Sequence, residues 1–195
     1  EALGWRASFA ALGAVTAAAV VAVAVLLPGG PPGRGHAAAA TNPDARRFRL
    51  LIVVVALTFG ACFTAYTYIT EFLLEVTGLR ESQISPVLLA NGAGDIAGIG
   101  LAAAFVDRGA RRLLGGAAAL MAAALLVLSG LGELPVGAVA GVMMLGLAMP
   151  PLATGMQARV LETAPGNTDV ASAWASAAFN VGIAGGALAG GLLLP

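Results

Sequence analysis

The chain has 195 residues, of which 59% are hydrophobic and 10% charged, and its ten basic and ten acidic residues cancel to zero net charge. Soluble domains run at roughly a quarter charged residues, so this composition excludes an ordinary soluble fold. Every basic residue is an arginine, which excludes a phosphate-loop nucleotide site of the usual kind and a pyridoxal phosphate Schiff base, both of which need lysine. A single histidine, His36, and a single cysteine, Cys62, exclude a bis-histidine haem, a disulfide framework and a thiolate metal cluster within the chain. No cofactor, no metal site and no nucleic-acid partner is expected.

Apolar stretches of about 20 residues recur, each long enough to cross a hydrocarbon core of about 30 Å as a helix. Lipid offers the backbone no water, so only helices or closed barrels span it, and these runs lack the alternation of barrel strands. The predicted fold is therefore all-α, a polytopic transmembrane helical bundle of about six spans. The first span runs from Trp5 to Leu27 and stops at Pro28-Gly29-Gly30-Pro31-Pro32, which cannot continue a helix. Residues 28–49 form a flexible basic linker with Arg34, Arg46, Arg47 and Arg49. The second span, Leu50 to Val76, closes at Thr77-Gly78, with Gly78 as its C-terminal cap.

The third span, Ser85 to Val106, carries Gly92, Gly94, Gly98 and Gly100, small residues that let neighbouring helices approach closely. A charged turn, Asp107-Arg108-Gly109-Ala110-Arg111-Arg112, precedes the fourth span, Leu113 to Leu131. The fifth, Pro135 to Leu161, contains Pro150-Pro151, a pair expected to kink or break it. The sixth, Thr168 to Leu194, repeats Gly182, Gly186 and Gly190 as a small-residue packing face. The chain opens at Glu1 on an apolar segment with no basic leader and closes at Pro195 on another, so it is expected to be a fragment. With the first span entering from outside, Arg34, Arg46, Arg47, Arg49, Arg108, Arg111, Arg112 and Arg159 are cytoplasmic, leaving Arg6 and Arg80 outside; the positive-inside rule selects this orientation.

Polar groups within the spans are costly and normally face a cavity or a partner. Asp95 and Asn91, one helical turn apart on a face continued by Gly98 and Ala102, read either as a proton or substrate contact or as hydrogen-bonded packing among glycines. Gly60, Thr64, Thr67, Glu71 and Glu75 form a stripe suited to the wall of a watery cavity. The alternative for Glu71 is a hydrated residue near the outer interface, and Glu75 is simply solvated. Tyr66 and Tyr68 fit an interfacial belt better than a cavity lining. Thr168, Ser172, Ser176 and Asn180 share a face, with Asn180 expected to hydrogen-bond to another helix. Cys62 reads as apolar packing, and Met143, Met144 and Met149 as packing or a permissive pocket.

The order of these features resembles the major facilitator superfamily, in its bacterial twelve-helix drug and sugar antiporter branch. Gly4-Trp5-Arg6 resembles the start of that family's sixth helix, and Tyr66-Thr67-Tyr68-Ile69 through Val76-Thr77-Gly78 its seventh. The charged turn from Asp107 to Arg112 is similar to the family's cytoplasmic loop motif, with Ala103 and Ala110 where glycines are usual. Ala177-Ala178-Phe179-Asn180-Val181-Gly182 with Gly185-Gly186 resembles the eleventh helix. Glu71 and Asp95 depart from the residues usual there.

The resemblance implies that residues 1–27 are the last helix of an N-terminal bundle, 28–49 the cytoplasmic linker, and 50–195 an incomplete C-terminal bundle lacking its final helix. The protein would then be a secondary active transporter in the bacterial inner membrane, coupling efflux of small amphipathic molecules to protons by alternating access. Its partners would be the lipid bilayer, the substrate, protons and the missing N-terminal bundle, against which the small-residue faces of the third and sixth spans would pack. Glu71, Asp95, Asn91, Thr67 and Asn180 would serve the substrate or proton pathway, and Asp107, Arg108, Arg111 and Arg112 a cytoplasmic gate. A non-transport membrane scaffold or channel subunit is the alternative.

Overall fold

A computed structural model describes residues 5–26 and 40–193. Gly4, most of the predicted linker with Arg34 and His36, and the side chains of Trp5 and Arg6 lie outside the described residues. The chain divides into two compact units, Glu1–His36 and Ala37–Pro195, each considered by itself. Every regular element among the described residues is helical, and six spans are long and apolar enough to cross a membrane.

The first unit contributes α1 (Trp5–Leu26), a helix apolar along its length. The second contains α2 (Ala45–Val76), α3 (Glu81–Phe105), α4 (Ala110–Leu131), α5 (Pro135–Thr163) and α6 (Thr168–Leu193). The helix α2 starts before Leu50 because Asp44 caps it, its carboxylate accepting from the Arg46 and Arg47 amides at 3.0 Å. Arg46, Arg47 and Arg49, read from the sequence as linker, are thus in its first turns. Its far end closes at Gly78, whose φ of 70° only glycine adopts readily, as the sequence suggested.

The second span is not the uninterrupted helix that hydropathy suggests. It breaks after Tyr66, resumes at Ile69, and ends in a wide turn in which the Thr77 amide donates to the Phe72 carbonyl at 3.1 Å. The Thr77 hydroxyl then donates to the Gly132 carbonyl at 2.7 Å and ties this end to the end of α4.

The centre of the second unit is α5, half of whose most apolar stretch is buried, against 28% or less in α2, α3, α4 and α6. It packs chiefly on α3 and α4, while α2 packs on α6. Pro150 and Pro151 do not break it. The Pro150 ring lies over Gly98 of α3, whose missing side chain makes the room, and Pro151 is buried. Such prolines persist in membrane helices where neighbours accommodate the altered backbone.

Gly94 and Gly98 of the third span and Gly182, Gly186 and Gly190 of the sixth find their partners inside this unit and do not wait for a missing bundle, whereas a Cβ at Gly92 or Gly100 would meet nothing within 4 Å. A methyl group at Gly182 would sit 2.5 Å from the Ala56 carbonyl oxygen and 3.1 Å from the Gly60 nitrogen of α2. One at Gly94 would sit 2.5 Å from the Met143 carbonyl oxygen and 3.1 Å from the Leu147 nitrogen of α5. Backbones this close gain dispersion contacts that lipid tails cannot match.

Gly186→Ala should therefore force α2 and α6 apart, because its methyl group would meet the Gly60 backbone. A loss of about 1–3 kcal/mol is expected, read from unfolding in mixed micelles; wild-type stability would refute the packing. The Arg47 amide above all, with that of Arg46, holds the Asp44 carboxyl below the usual carboxylate range. Since the folded value is the lower one, the cap stabilises in full above that range and is lost as pH falls through the folded value. The protection of the Arg46 and Arg47 amides against hydrogen exchange, taken relative to the intrinsic rate at each pH, should fall on acidification, and Asp44→Asn should abolish that fall.

Candidate functional site

Asn91 is buried on the face of α3 that meets α5, together with Gly94, Gly98 and Ala102. Its Nδ2 donates to the Val142 carbonyl at 2.8 Å, and its Oδ1 accepts from the Tyr66 hydroxyl at 2.5 Å. One side chain thereby joins α2, α3 and α5. Asp95, a turn further along, flanks this face half-buried, within electrostatic reach of the Tyr66 phenol. Among the described residues its carboxyl has no hydrogen bond or ion pair.

Tyr66 is therefore an interior polar contact and not part of a belt. Tyr68 is likewise turned inward, donating to the Ala187 carbonyl of α6 at 2.9 Å. The sequence missed both because an aromatic hydroxyl at the end of a span has the same signature whether it faces headgroups or a neighbouring carbonyl.

A cleft of about 580 Å³ opens between α2, α5 and α6. Phe179 supplies its aromatic surface, backed by the fully buried Phe59, their centroids 4.2 Å apart and their planes tilted by 59°. Phe63 extends the row, 6.3 Å from Phe179 and 5.8 Å from Tyr66, and so connects the cleft to the Asn91 contact. Thr154, Gln157, Ser176 and Asn180 supply the polar groups, and no charged side chain lines it. Gln157 Nε2 donates to Ser172 Oγ at 2.8 Å. Asn180 is exposed to this cleft, and its amide donates to the Ser176 carbonyl of its own helix at 2.8 Å, not to another helix.

Sequence reasoning passed over Thr154, Gln157, Phe59 and Phe179 as lining residues. The available signal was the spacing of Thr154 and Gln157, polar residues sharing one face of an apolar helix. Met156 lines the cleft, whereas Met144 and Met149 pack on the core.

The predicted stripe on α2 divides. Gly60 and Thr64 meet α6, the Thr64 hydroxyl lying 3.1 Å from the Gly186 carbonyl. Thr67, beside the helix break, is exposed. Thr64 also lines, with Glu71 and Glu75, a separate cleft of about 340 Å³ against Leu125, Leu128 and Ser129 of α4, so three of the five stripe residues do share one wall. Glu71, Asp95 and Asn180 are thus not gathered in one cavity.

The charged turn also spreads its groups. Asp107 and Arg108 occupy a short tight turn ended by Gly109, whose φ of 128° reverses the chain into α4 and supplies the bend without glycine at Ala103 or Ala110. Asp107 borders a groove of about 440 Å³ with Thr41, Glu162 and Thr168. Arg108 and Arg112 border a different one, between α3 and α4, and Arg111 is exposed. Among the described residues the ion pairs are Arg47 with Asp44 and Arg159 with Glu162, and none closes the turn on itself.

A family model for the Major Facilitator Superfamily matches residues 1–187. The chain is 32% identical to a protein of Mannheimia succiniciproducens described as "Probable sugar efflux transporter", over 97% of this chain and 48% of that protein. It is 32% identical to a "Chloramphenicol resistance protein" of Streptomyces lividans, over 95% of this chain and 49% of the relative. A "Probable sugar efflux transporter" of Helicobacter acinonychis is 28% identical over 98% of this chain and 50% of its own. The chain spans about half the length of these curated relatives. No solved structure matches it.

Replacing Asn91 by Ala should cost about 1–2 kcal/mol, the range of a hydrogen bond between membrane helices. Tyr66→Phe should cost less, because Asn91 keeps its bond to Val142. Unfolding of both single variants and the double variant in mixed micelles measures the coupling; additive losses would show that the 2.5 Å contact contributes nothing.

Proposed function

The chain belongs to the major facilitator superfamily, and on that premise we propose that it forms part of a secondary active transporter exporting small, uncharged amphipathic molecules. The observation that carries the reading is the cleft between α2, α5 and α6, where phenylalanine faces and amide or hydroxyl groups meet without a charge. Such a surface suits ligands with an apolar face and a few hydrogen-bonding groups, and it would repel ions that must shed their hydration. The relatives named for sugar efflux and chloramphenicol resistance support export as the direction. They also favour a transport protein over an enzyme.

In this proposal the rest of the transporter supplies a second bundle, and alternating access rocks the two around a midplane site. Asp95, beside Tyr66 and without an ion-pair partner among the described residues, is the proposed proton site, with Asn91 orienting Tyr66. Glu71, on its own cleft, is proposed to serve the outer end of the pathway, next to Thr67 at the helix break. The turn of Asp107, Arg108, Arg111 and Arg112 is proposed as a cytoplasmic latch that forms charge pairs in one state and releases them in the other. Its unpaired charges here would correspond to the released state. The arginine-rich end is placed in the cytoplasm by the positive-inside rule. A passive scaffold or channel subunit has no need of such a turn.

The natural full-length protein in proteoliposomes tests this. Asp95→Asn should abolish transport driven by a pH gradient while leaving exchange of labelled for unlabelled substrate intact. Phe179→Ala should raise the apparent KM by up to about tenfold, the value of one aromatic contact. Gradient-driven transport at the wild-type rate in both Asp95→Asn and Glu71→Gln would sink the coupling assignment. Unchanged KM in Phe179→Ala would sink the cleft.

A further inference from the structure

The groove between α3 and α4 differs from the others in combining an apolar floor with arginines at its mouth. It encloses about 470 Å³ and is lined by Leu101, Phe105, Gly116 and Leu120, with Arg108 and Arg112 among its walls. Arg108 lies over the Phe105 ring in a cation–π contact, its Cζ 4.8 Å from the ring centroid. Such a contact leaves N–H donors of the guanidinium free. Among the described residues neither arginine has an acidic partner, and Asp107, adjacent in sequence, borders the other groove instead.

We infer that this groove binds an anionic phospholipid of the leaflet at the arginine-rich end, with the phosphate held by Arg108 and Arg112 and one acyl chain laid along the apolar floor. Depth and charge both fit. Leu101 lies about 10 Å below Arg108, through the last turn of α3 and the short turn that follows it, and Leu120 about 12 Å below Arg112 along α4, at about 1.5 Å per helical residue and about 2 Å in the turn. That is most of the roughly 15 Å of hydrocarbon in one leaflet. Guanidinium groups pair with phosphate oxygens through paired N–H bonds, and a basic pocket between membrane helices on the cytoplasmic side is where such headgroups concentrate. Gly116 keeps the floor open, because a Cβ built there has no neighbour within 4 Å.

The site also bears on the proposed latch. Arg108 and Arg112 cannot hold a lipid phosphate and close a charge pair across the cytoplasmic face with the same donors. A bound anionic lipid would therefore favour the released state. This extension rests on the transport reading, whereas the binding site itself does not.

The test measures lipid retention by the natural full-length protein released from phosphatidylcholine nanodiscs doped with phosphatidylglycerol, using native mass spectrometry. The wild type should keep phosphatidylglycerol in preference to phosphatidylcholine. Arg108→Ala with Arg112→Ala should bind it about thirtyfold more weakly, the loss expected of two arginines near a charged headgroup. Arg108→Lys with Arg112→Lys, which keeps the charge but loses the paired N–H bonds, should bind between the wild type and the alanine variant. Gly116→Leu, which fills the floor and leaves both arginines, should weaken binding similarly without lowering thermal stability. Glycerol phosphate in excess should not displace the lipid. Wild-type retention of phosphatidylglycerol by the arginine-to-alanine variant or by Gly116→Leu, no preference over phosphatidylcholine, or full displacement by glycerol phosphate would each overturn the inference, the last by assigning the arginines to a soluble anion.

Discussion

Close backbone approach at glycine is the constraint on which the described bundle depends. In lipid the hydrophobic effect does not drive helices together, because the tails are as apolar as leucine, so association rests on dispersion and on hydrogen bonds between helices. Here Gly94 and Gly98 bring α3 onto α5, Gly155 brings α5 onto Leu114 of α4, and Gly182 and Gly186 bring α6 onto Ala56 and Gly60 of α2. Each contact leaves too little room for a methyl group, except that at Gly155, where one would fit tightly at 3.1 Å from Leu114. The central position of α5, the tolerance of Pro150 and Pro151, and the pairing of α2 with α6 all follow from these approaches.

The polar groups then occupy what the close contacts leave. Asn91 can reach both the Val142 carbonyl and the Tyr66 hydroxyl because Gly94, one turn on, brings the α3 backbone against α5. The cleft between α2, α5 and α6 has no glycine in its walls, which mix phenylalanine and polar side chains with Ala153, Ala158 and Ala175. Where α2 and α6 meet at Gly60 and Gly182 their backbones are in contact, and on the side of Phe59, Phe179 and Asn180 the gap is spanned by side chains, with α5 closing the cleft.

Charge follows the same division of space. Gly109 reverses the chain between α3 and α4, and that reversal sends Asp107 to one groove and Arg108 with Arg112 to another. A motif that reads as one unit in sequence is thus spread over two surfaces. The acid faces the end of α5, with Glu162, and the bases face the groove between α3 and α4.

The sequence by itself determined the membrane class, the number and order of spans, the cap at Gly78 and the likeness to a transporter family, because each is a local sum or a short motif. Twenty apolar residues are long enough to cross a bilayer whatever surrounds them. Only the tertiary structure decided which face of each helix turns inward. In water a helix advertises its buried face by hydrophobicity, but in lipid both faces are apolar, and glycine and alanine lie on either. That is why the stripe from Gly60 to Glu75 read as one cavity wall and proved to divide between α6, an exposed break and the cleft beside α4. For the same reason Tyr66 and Tyr68 read as a belt, and Thr154, Gln157 and the two phenylalanines became visible as a lining only once α2, α5 and α6 were assembled around them.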